Sequence, residues 1–296
     1  MNDLSNEIKG INFAGAVVWY NPIPNVLDNI NSYISKLRKL FIIDNSDSDN
    51  SVLLLSLPEN VNVEYISSGK NLGIAKALNI AAEKAVKEGF NWLFTFDDDS
   101  KASETMIDEM RSFFSSNQFS DKIAIVAPFH SNKNYKMPPE GVPYVRIADT
   151  MTSGNLLNLT IYKKIGKFRE DFFIDYVDKE YCLRVISAGY SIYQVNKAVL
   201  YHNLGRLQKR RFAFRYVSVT HHSPLRLYYR TRNRLQVIKE YSFIFPAFCI
   251  KDFIGIFTDI LKILIYEEQK TSKLKMIFKG AFDFMRNKFG KLKEIN

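Results

Sequence analysis

Hydrophobic runs alternate with helical patterns over the first two thirds of the chain. Runs rich in β-branched and aromatic residues predict buried strands, and between them apolar residues recur at helical spacing. The predicted strands cover residues 11–20, 40–43, 61–66, 91–96, 123–128 and 198–202, and the predicted helices cover 26–37, 74–87, 100–114 and 178–188. Strands and helices that alternate in this way predict an α/β fold with a parallel, doubly wound sheet.

The strand at 91–96 ends in three adjacent carboxylates, Asp97, Asp98 and Asp99. Three carboxylates in a partly desolvated place repel one another, so they need a cation, basic partners or open water to stay ionised. Asp97 and Asp99 point to the same side of an extended segment, and hard oxygen ligands suit Mg²⁺ or Mn²⁺. The alternative is a solvated acidic turn that opens the helix at 100–114.

Polar residues follow the earlier predicted strands as well. Tyr20 and Asn21 come after the first strand, Asp44 after the second, and a turn that contains Asn71 and Gly73 after the third. Ligands bind at the carboxyl ends of parallel strands, so these residues predict a nucleotide pocket at one edge of the sheet. The glycine turn matches neither a P-loop nor a G-x-G-x-x-G fingerprint, which disfavours phosphoryl transfer from a nucleoside triphosphate and hydride transfer. The alternative is an ordinary loop into a helix.

Three later positions are candidates for chemistry. Gly154, next to Asn155, allows close approach of the backbone to a ligand. Asp178 lies near the predicted start of a helix, where a carboxylate serves either as a base or as a helix cap; as a base it is ionised but weak at neutral pH. His202 ends a short strand and is a nitrogen ligand for the same metal or a structural histidine.

Composition places the chain among folded proteins of a reducing compartment. The 296 residues are 46% hydrophobic and 14% aromatic, which excludes disorder as the main state. Cys182 and Cys249 lack C-x-x-C spacing, so neither a disulfide framework nor a cysteine metal site is predicted. Residues 1–10 lack the layout of a signal peptide, and we expect a cytoplasmic protein.

The net charge of +10 is unevenly distributed along the chain. Residues 206–296 hold 20 Lys and Arg against 7 Asp and Glu, a net +13, which leaves −3 for residues 1–205. We therefore predict a catalytic domain over 1–205 and a basic, helical region over 206–296.

The basic region has two interpretations. Charges interrupt the apolar stretch 243–266, so it predicts an amphipathic helix at a membrane surface rather than a spanning helix. The alternative is a helical subdomain packed against the catalytic domain or against a second copy of the chain. A nucleic-acid or other anionic-polymer binding protein is a competing class, but it leaves the acidic strand ends unexplained, and we expect no nucleic acid partner.

Taken in order, the motifs resemble those of the family 2 glycosyltransferases, nucleotide-sugar enzymes of the GT-A fold. The resemblance covers almost the whole chain and is greatest to the bacterial rhamnosyltransferase branch, which is similar to galactofuranosyltransferases. The matching motifs are Tyr20-Asn21-Pro22, residues 43–46 and 71–75, Asp97-Asp98-Asp99-Ser100 as a form of D-x-D, Ser153-Gly154-Asn155, residues 173–184, His202, and residues 223–233.

The resemblance implies a role for each matching residue. Tyr20, Asp44, Asn71 and Asp97 would line the pocket for the base and ribose, with Asn21, Gly73, Asp98, Gly154 and Asn155 also in the nucleotide-sugar site. Asp99 and His202, with Asp97, would hold Mg²⁺ or Mn²⁺ at the diphosphate, and Asp178 would be the catalytic base. Asp98 departs from the residue that relatives often carry at the middle position, so the carboxylate that contacts metal directly stays open, and the segment 223–233 receives no role.

The implied activity is inverting, metal-dependent transfer of a sugar. The expected donor is dTDP-L-rhamnose, with UDP-galactofuranose or a UDP-hexose as the alternative. The expected acceptor is a hydroxyl of a growing cell-surface polysaccharide (O-antigen, capsule or cell-wall glycan) linked to polyprenyl diphosphate, which would place the protein at the inner face of the cell membrane. A homo-oligomer is also compatible with the pattern.

Overall fold

A computed structural model describes residues 13–116, 121–131, 141–202, 208–212, 215–219 and 221–293. The chain forms two compact units, Met1–Phe168 with Tyr181–Asn203, and Arg169–Glu180 with Leu204–Asn296. The segment Arg169–Glu180 is thus part of the C-terminal unit, an assignment that the charge pattern does not predict. His202 lies at the end of a described strand, but its side chain is outside the described part.

The first unit is built on a nine-stranded mixed sheet of order β3-β2-β1-β4-β8-β6-β9-β5, with β7 paired to β9. Its strands are β1 (Phe13–Trp19), β2 (Lys39–Asp44), β3 (Val63–Ser67), β4 (Trp92–Asp97), β5 (Ser100–Ala102), β6 (Ile123–Ser131), β7 (Tyr144–Ile147), β8 (Asn155–Asn158) and β9 (Ser191–His202). Its helices are α1 (Val26–Asn31), α2 (Ile74–Lys87), α3 (Met106–Ser116), α4 (Leu159–Ile165) and α5 (Val177–Ser187), the last of which begins in the C-terminal unit.

The parallel pairing that the sequence predicts accounts for four of the eight strand pairs described in this sheet. Strands β3, β2, β1 and β4 are parallel neighbours, and β6 and β9 are parallel to each other. Strand β8 runs antiparallel between β4 and β6, and the edge strands β5 and β7 run antiparallel to β9. All seven residues of β1 are buried, which is the expected burial for a central strand covered on both faces.

The structure corrects one predicted element near the carboxylates. Ser100 does not begin a helix: it lies in the short strand β5, in register with His202 of β9. Helix α3 begins only at Met106, and its Met106, Ile107, Met110 and Phe113 join the main hydrophobic cluster. The carboxylates therefore lead into a strand pairing, which fixes the backbone on their far side.

The C-terminal unit consists of a hairpin and three helices in the described residues. The hairpin pairs β10 (Gln208–Phe212) with β11 (Arg215–Val219), and the helices are α6 (Pro224–Tyr241), α7 (Pro246–Tyr266) and α8 (Lys270–Met285). Helix α6 begins with Ser223, whose hydroxyl accepts a hydrogen bond from the Arg226 backbone N–H, followed by a proline at the first helical position. Among the described residues, no helix combines the length and apolar character required to cross a membrane.

Close packing of α8 on α6 depends on a glycine. A Cβ built at Gly280 would lie 2.5 Å from the Tyr228 carbonyl oxygen and 3.3 Å from the Arg232 backbone nitrogen. A backbone carbonyl inside a helix cannot move aside as a side chain can, so the two helices would have to separate. Gly255 of α7 differs, because the nearest atom to its built Cβ is an Arg234 guanidinium nitrogen at 3.5 Å.

We expect Gly280→Ala to destabilise the protein by about 1–3 kcal/mol, because the added methyl overpacks the α6–α8 contact. Gly255→Ala is the matched control; its methyl has room, and alanine favours a helix interior, so the free energy of unfolding should rise by up to about 1 kcal/mol. Urea denaturation of both variants measures the difference. Equal stabilities would show that α8 does not depend on this close approach.

Candidate active site

The carboxyl ends of three parallel strands bring predicted site residues to one edge of the sheet. Trp19, the last residue of β1, is in register with Asp44 of β2, and Val18 is in register with Asp97 of β4. Tyr20 and Asn21 continue β1 beyond this edge. The structure therefore confirms that Tyr20, Asp44 and Asp97 come from neighbouring strand ends.

Side-chain amides connect the loops after β2 and β3. The Asn45 Nδ2 donates to Asn71 Oδ1 at 3.1 Å, and Asn45 Oδ1 accepts from the Leu72 backbone N–H at 2.7 Å. Asn71 Oδ1 also accepts from the Gly73 N–H at 2.9 Å, immediately before helix α2. These bonds place Asn71 and Gly73 beside the end of β2. The sequence reasoning included Asn45 in a motif but did not recognise its role as the link.

Asp44 is fully buried and its carboxylate is held by the protein. Oδ2 accepts from the Tyr65 hydroxyl at 2.6 Å and from the Asn50 Nδ2 at 2.9 Å, and Oδ1 accepts from the Ser46 N–H at 3.0 Å. Burial alone would raise the pKa of Asp44, but the hydrogen bonds from Tyr65, Ser46 and Asn50 outweigh it and lower that pKa. The carboxylate thus orders the loop after β2, and its direct contact with a ligand stays a prediction.

Tyr20 and Asn21 form the other side of this edge. The Asn21 N–H donates to the Ser46 hydroxyl at 2.8 Å, and the backbone of Asn21 has a positive φ of 50°. The Tyr20 N–H donates to Asp98 Oδ2 at 3.3 Å, while its side chain is 51% exposed. An exposed aromatic ring next to polar strand ends is suited to stack on a planar base.

The three carboxylates occupy the turn between β4 and β5, and all three residues are half-buried. The Asp97 N–H donates to the Ser153 hydroxyl at 3.0 Å, and Ser153 donates to the Ser100 hydroxyl at 2.8 Å. Ser100 in turn reaches Asp99 Oδ1 at 3.5 Å. A chain of hydroxyls therefore runs beneath the turn, and Ser153 is a functional candidate that the sequence interpretation quoted in a motif without giving it a task.

Below the turn, Tyr33 stacks on Phe96 with ring centroids 3.9 Å apart. Burial, and then the negative charges of Asp98 and Asp97, raise the pKa of Tyr33 above its ordinary value. The charges of Asp98 and Asp97 thus act on Tyr33 in the same direction as its burial.

The donor set at this turn fits a hard divalent cation. Among the residues whose side chains are described, no three His, Cys, Asp or Glu groups converge into a preformed metal cluster. A Mg²⁺-type ion does not need one, because it commonly takes one or two protein carboxylates together with substrate phosphate oxygens and water. Asp97 and Asp99 offer those carboxylates, and the pairing of Ser100 with His202 brings the His202 backbone alongside.

Gly154 and Asn155 support the turn from the adjacent strand β8. Gly154 has a φ of +77°, and a Cβ there would lie 2.7 Å from Pro128 Cγ and 2.8 Å from Leu200 Cδ2. Asn155 is buried, and its Nδ2 donates to the Met151 carbonyl at 2.6 Å. The glycine is thus needed for close packing within the protein. Contact of either residue with a nucleotide sugar stays a prediction.

Asp178 belongs to the C-terminal unit, in the first turn of helix α5. Its Oδ1 accepts from the Lys179 N–H at 2.8 Å. Burial, with the nearby Asp175 charge, raises the pKa of Asp178 above its usual range despite that hydrogen bond. A raised pKa makes the carboxylate a stronger base than the sequence alone suggests. Its assignment as the base remains a prediction.

Comparison with protein families matches residues 16–176 to the family described as "Glycosyl transferase family 2", more than half of the chain. A curated relative, "dTDP-rhamnosyl transferase RfbF" of Shigella flexneri, is 27% identical over 248 residues, which is 77% of this chain and 80% of the relative.

Two solved structures share the fold at 13% identity. S. aureus TarS 1-349 in complex with UDP-GlcNAc has a TM-score of 0.58 over 94% of this chain and 81% of its own. GalNAc-T7 with UDP, GalNAc and Mn²⁺ has a TM-score of 0.59 over 93% of this chain and 56% of its own. These likenesses confirm the GT-A architecture.

The hydrogen bonds around Asp44 give a pH-dependent prediction. Tyr65→Phe removes the shortest bond to this carboxylate, so we expect the variant to be less stable by about 1–3 kcal/mol at pH 7. Because the native pKa of Asp44 is lowered, this stabilisation is present above the unfolded pKa and is lost as the pH falls through the native one.

Urea denaturation of wild type and Tyr65→Phe at neutral and acidic pH measures the effect. The difference in the free energy of unfolding between the two proteins should become smaller at acidic pH. The Tyr65 hydroxyl also contacts Asp49, at 2.8 Å, so Asp49→Asn in both backgrounds separates the two carboxylates. A gap that is independent of pH would contradict the assignment.

Proposed function

The chain belongs to glycosyl transferase family 2 and is a glycosyltransferase, and we propose that it transfers L-rhamnose from dTDP-L-rhamnose to a hydroxyl of a cell-surface polysaccharide. The observation that carries the proposal is the edge formed by the ends of β1, β2 and β4, where Tyr20, with its exposed ring, donates its backbone N–H to Asp98 of the acidic turn. The ring suits a base and the acidic turn suits a metal-bound diphosphate. The choice of rhamnose draws support from the named activity of the Shigella relative.

The donor is held by the residues of this edge. Tyr20 would stack on the base, Asn71 and Asp97 would contact the nucleoside, and Asp99, Asp97 and His202 would hold Mg²⁺ or Mn²⁺. A bound ion of this kind offsets the charge on the departing nucleoside diphosphate. The hydroxyls of Ser153 and Ser100 restrain the turn from below, so that Asp99 does not have to be ordered when the donor arrives.

Asp178 acts as the general base. It accepts the proton of the acceptor hydroxyl while that oxygen attacks the anomeric carbon from the face opposite the diphosphate, and the configuration inverts. Burial raises the pKa of Asp178, so its carboxylate accepts the proton of the acceptor hydroxyl more readily than that of an ordinary aspartate would.

A second donor class is favoured by one observation. The TarS structures contain UDP-GlcNAc or UDP, and the GalNAc-T7 structure contains UDP. A UDP-galactofuranose or UDP-hexose donor is therefore the alternative on the same fold.

Titration calorimetry with dTDP and with UDP, each with and without Mn²⁺, tests the donor. We expect metal-dependent binding with preference for dTDP. Preference for UDP would favour UDP-galactofuranose or a UDP-hexose as the donor. Binding of neither nucleotide would contradict the proposed site.

We expect Asp178→Asn to reduce transfer by on the order of 100-fold or more, since general-base assistance commonly contributes that much. Donor affinity, measured by calorimetry, should stay at the wild-type value because the amide keeps the shape of the side chain. Product formation at the wild-type rate would remove Asp178 from this role.

The proposed acceptor is linked to polyprenyl diphosphate, and the apolar surface of helix α7 supports a location of the enzyme at the membrane surface. The apolar side chains of α7 at helical spacing are exposed to about half of their surface: Ile250, Phe253, Ile254, Phe257, Leu261, Leu264 and Ile265. Together they form a continuous apolar stripe, which suits burial at the boundary of headgroups and acyl chains, and the basic region favours anionic lipid.

Flotation with vesicles that contain anionic lipid tests this surface. We expect the double variant Phe257→Asp with Leu261→Asp to lose flotation, because each carboxylate would have to enter the apolar boundary. Leu55→Asp is the matched control, since Leu55 is 86% exposed in the other unit. If wild type fails to float and instead forms dimers that the double variant disrupts, the stripe serves a second copy of the chain.

A further inference from the structure

The segment that precedes Asp178 has a strained backbone. Phe173, Asp175 and Tyr176 have positive φ values of 66°, 61° and 67°, and none of them is glycine. Phe173, with ψ of −62°, is the centre of a γ-turn in which the Ile174 N–H donates to the Phe172 carbonyl at 2.8 Å. A γ-turn with positive φ is rare and costly, so surrounding contacts must hold it.

Asn233 of helix α6 holds this segment through its side-chain amide. The buried Nδ2 lies 2.9 Å from each of three carbonyl oxygens, those of Phe172, Ile174 and Asp175. Its Oδ1 accepts from Arg232 Nε at 3.0 Å, which fixes the amide with its nitrogen towards the segment. One side chain therefore bridges the γ-turn and the residue that follows it, Asp175.

Arginines of the same helix complete the clamp. Buried Arg232 donates from Nη2 to the carbonyls of Phe172 at 3.0 Å and Asp171 at 3.1 Å. Arg226 contacts both carboxylate oxygens of Asp175 at 3.1–3.2 Å. The hydrogen bonds from α6 are thus made to the Asp175 side chain and to the backbone carbonyls of residues 171–175.

The aromatic side chains of the segment are fixed as well. The Phe173 ring stacks on Tyr229 of α6 with centroids 5.0 Å apart, and the Tyr176 hydroxyl bonds to Arg234 and to Asp252. Every residue with positive φ in the segment therefore has a side-chain contact to α6, and helix α5 begins at the next residue, Val177.

We infer that Asn233, with Arg226 and Arg232, is a positioning residue that keeps residues 172–176 in the strained conformation from which Asp178 is presented to the acceptor. This inference gives the segment 223–233 a task and rests on the proposed role of Asp178 as the base. A buried amide that only contributed stability could bond any unpaired backbone group, whereas all three acceptors of Asn233 lie in the four residues 172–175.

The test compares three variants of the full-length protein. Asn233→Ser shortens the side chain so that it no longer spans three carbonyls. Arg226→Gln removes the charge that holds Asp175. The Arg226 side chain is 48% exposed, so this substitution lies at the surface. Asp283→Asn is the matched control: it weakens a buried bond from the Tyr228 hydroxyl in the same unit, where Asp283 does not bond to residues 171–176.

For each variant we would measure kcat, the dissociation constant of the donor nucleotide and Tm. Asn233→Ser should lower kcat by on the order of 100-fold, as expected when a catalytic group is displaced by about 1 Å, without a change in donor affinity. Arg226→Gln should act in the same direction with a smaller loss. Asp283→Asn should lower Tm and retain kcat.

Wild-type kcat in both Asn233→Ser and Arg226→Gln would overturn the inference, as would an equal loss of kcat in Asp283→Asn. If Asn233→Ser does not fold, the comparison of kcat between Arg226→Gln and the control Asp283→Asn tests the inference. A wild-type protein that binds nucleotide and transfers no sugar would overturn the proposed function itself, whereas active wild type with unaffected variants would overturn the clamp alone.

Discussion

The parallel pairing of β1 with β2 and β4 is the constraint on which the first unit depends. Because all seven residues of β1 are buried, the strand cannot slip by one residue without exchanging its two covered faces. The resulting register fixes Trp19 beside Asp44 and Val18 beside Asp97. Hydrophobic burial in the sheet thus determines the positions of Asp44 and Asp97 at the strand ends, and contacts from the loops determine how their side chains are oriented.

Neutral donors contribute to this orientation at both carboxylate positions. Asp44 is held by a tyrosine hydroxyl, an amide and a backbone N–H, and the turn at Asp97–Asp99 rests on the hydroxyls of Ser153 and Ser100. These hydroxyls restrain the geometry of the turn without adding positive charge of their own, which suits the proposed binding of a divalent ion with a diphosphate.

The C-terminal unit shows how far the sequence pattern leads. Helix α7 was predicted to within a few residues, from the apolar stretch 243–266. The task of Asn233 was not predictable, since its three acceptors lie about 60 residues earlier and are backbone atoms that carry no sequence signal. Ser100 was assigned to a helix because its strand pairing with His202 is equally remote. Local propensity predicts elements, whereas the contacts that shape a site come from tertiary structure.

Some of the positive charges of the C-terminal unit are buried, and only the exposed ones can attract an external anion. Arg232, Arg234 and Lys273 are at most 5% exposed, and they are paired with carbonyl oxygens, with Asp259 or with Glu267. These cations serve the fold and offer nothing to an external anion. The net charge of the region therefore overstates its attraction for a polyanion, and within α7 the exposed lysine beside the apolar stripe is Lys251. An apolar stripe with little exposed positive charge beside it supports the proposed lipid interface over a nucleic acid, whose phosphates require dense positive charge.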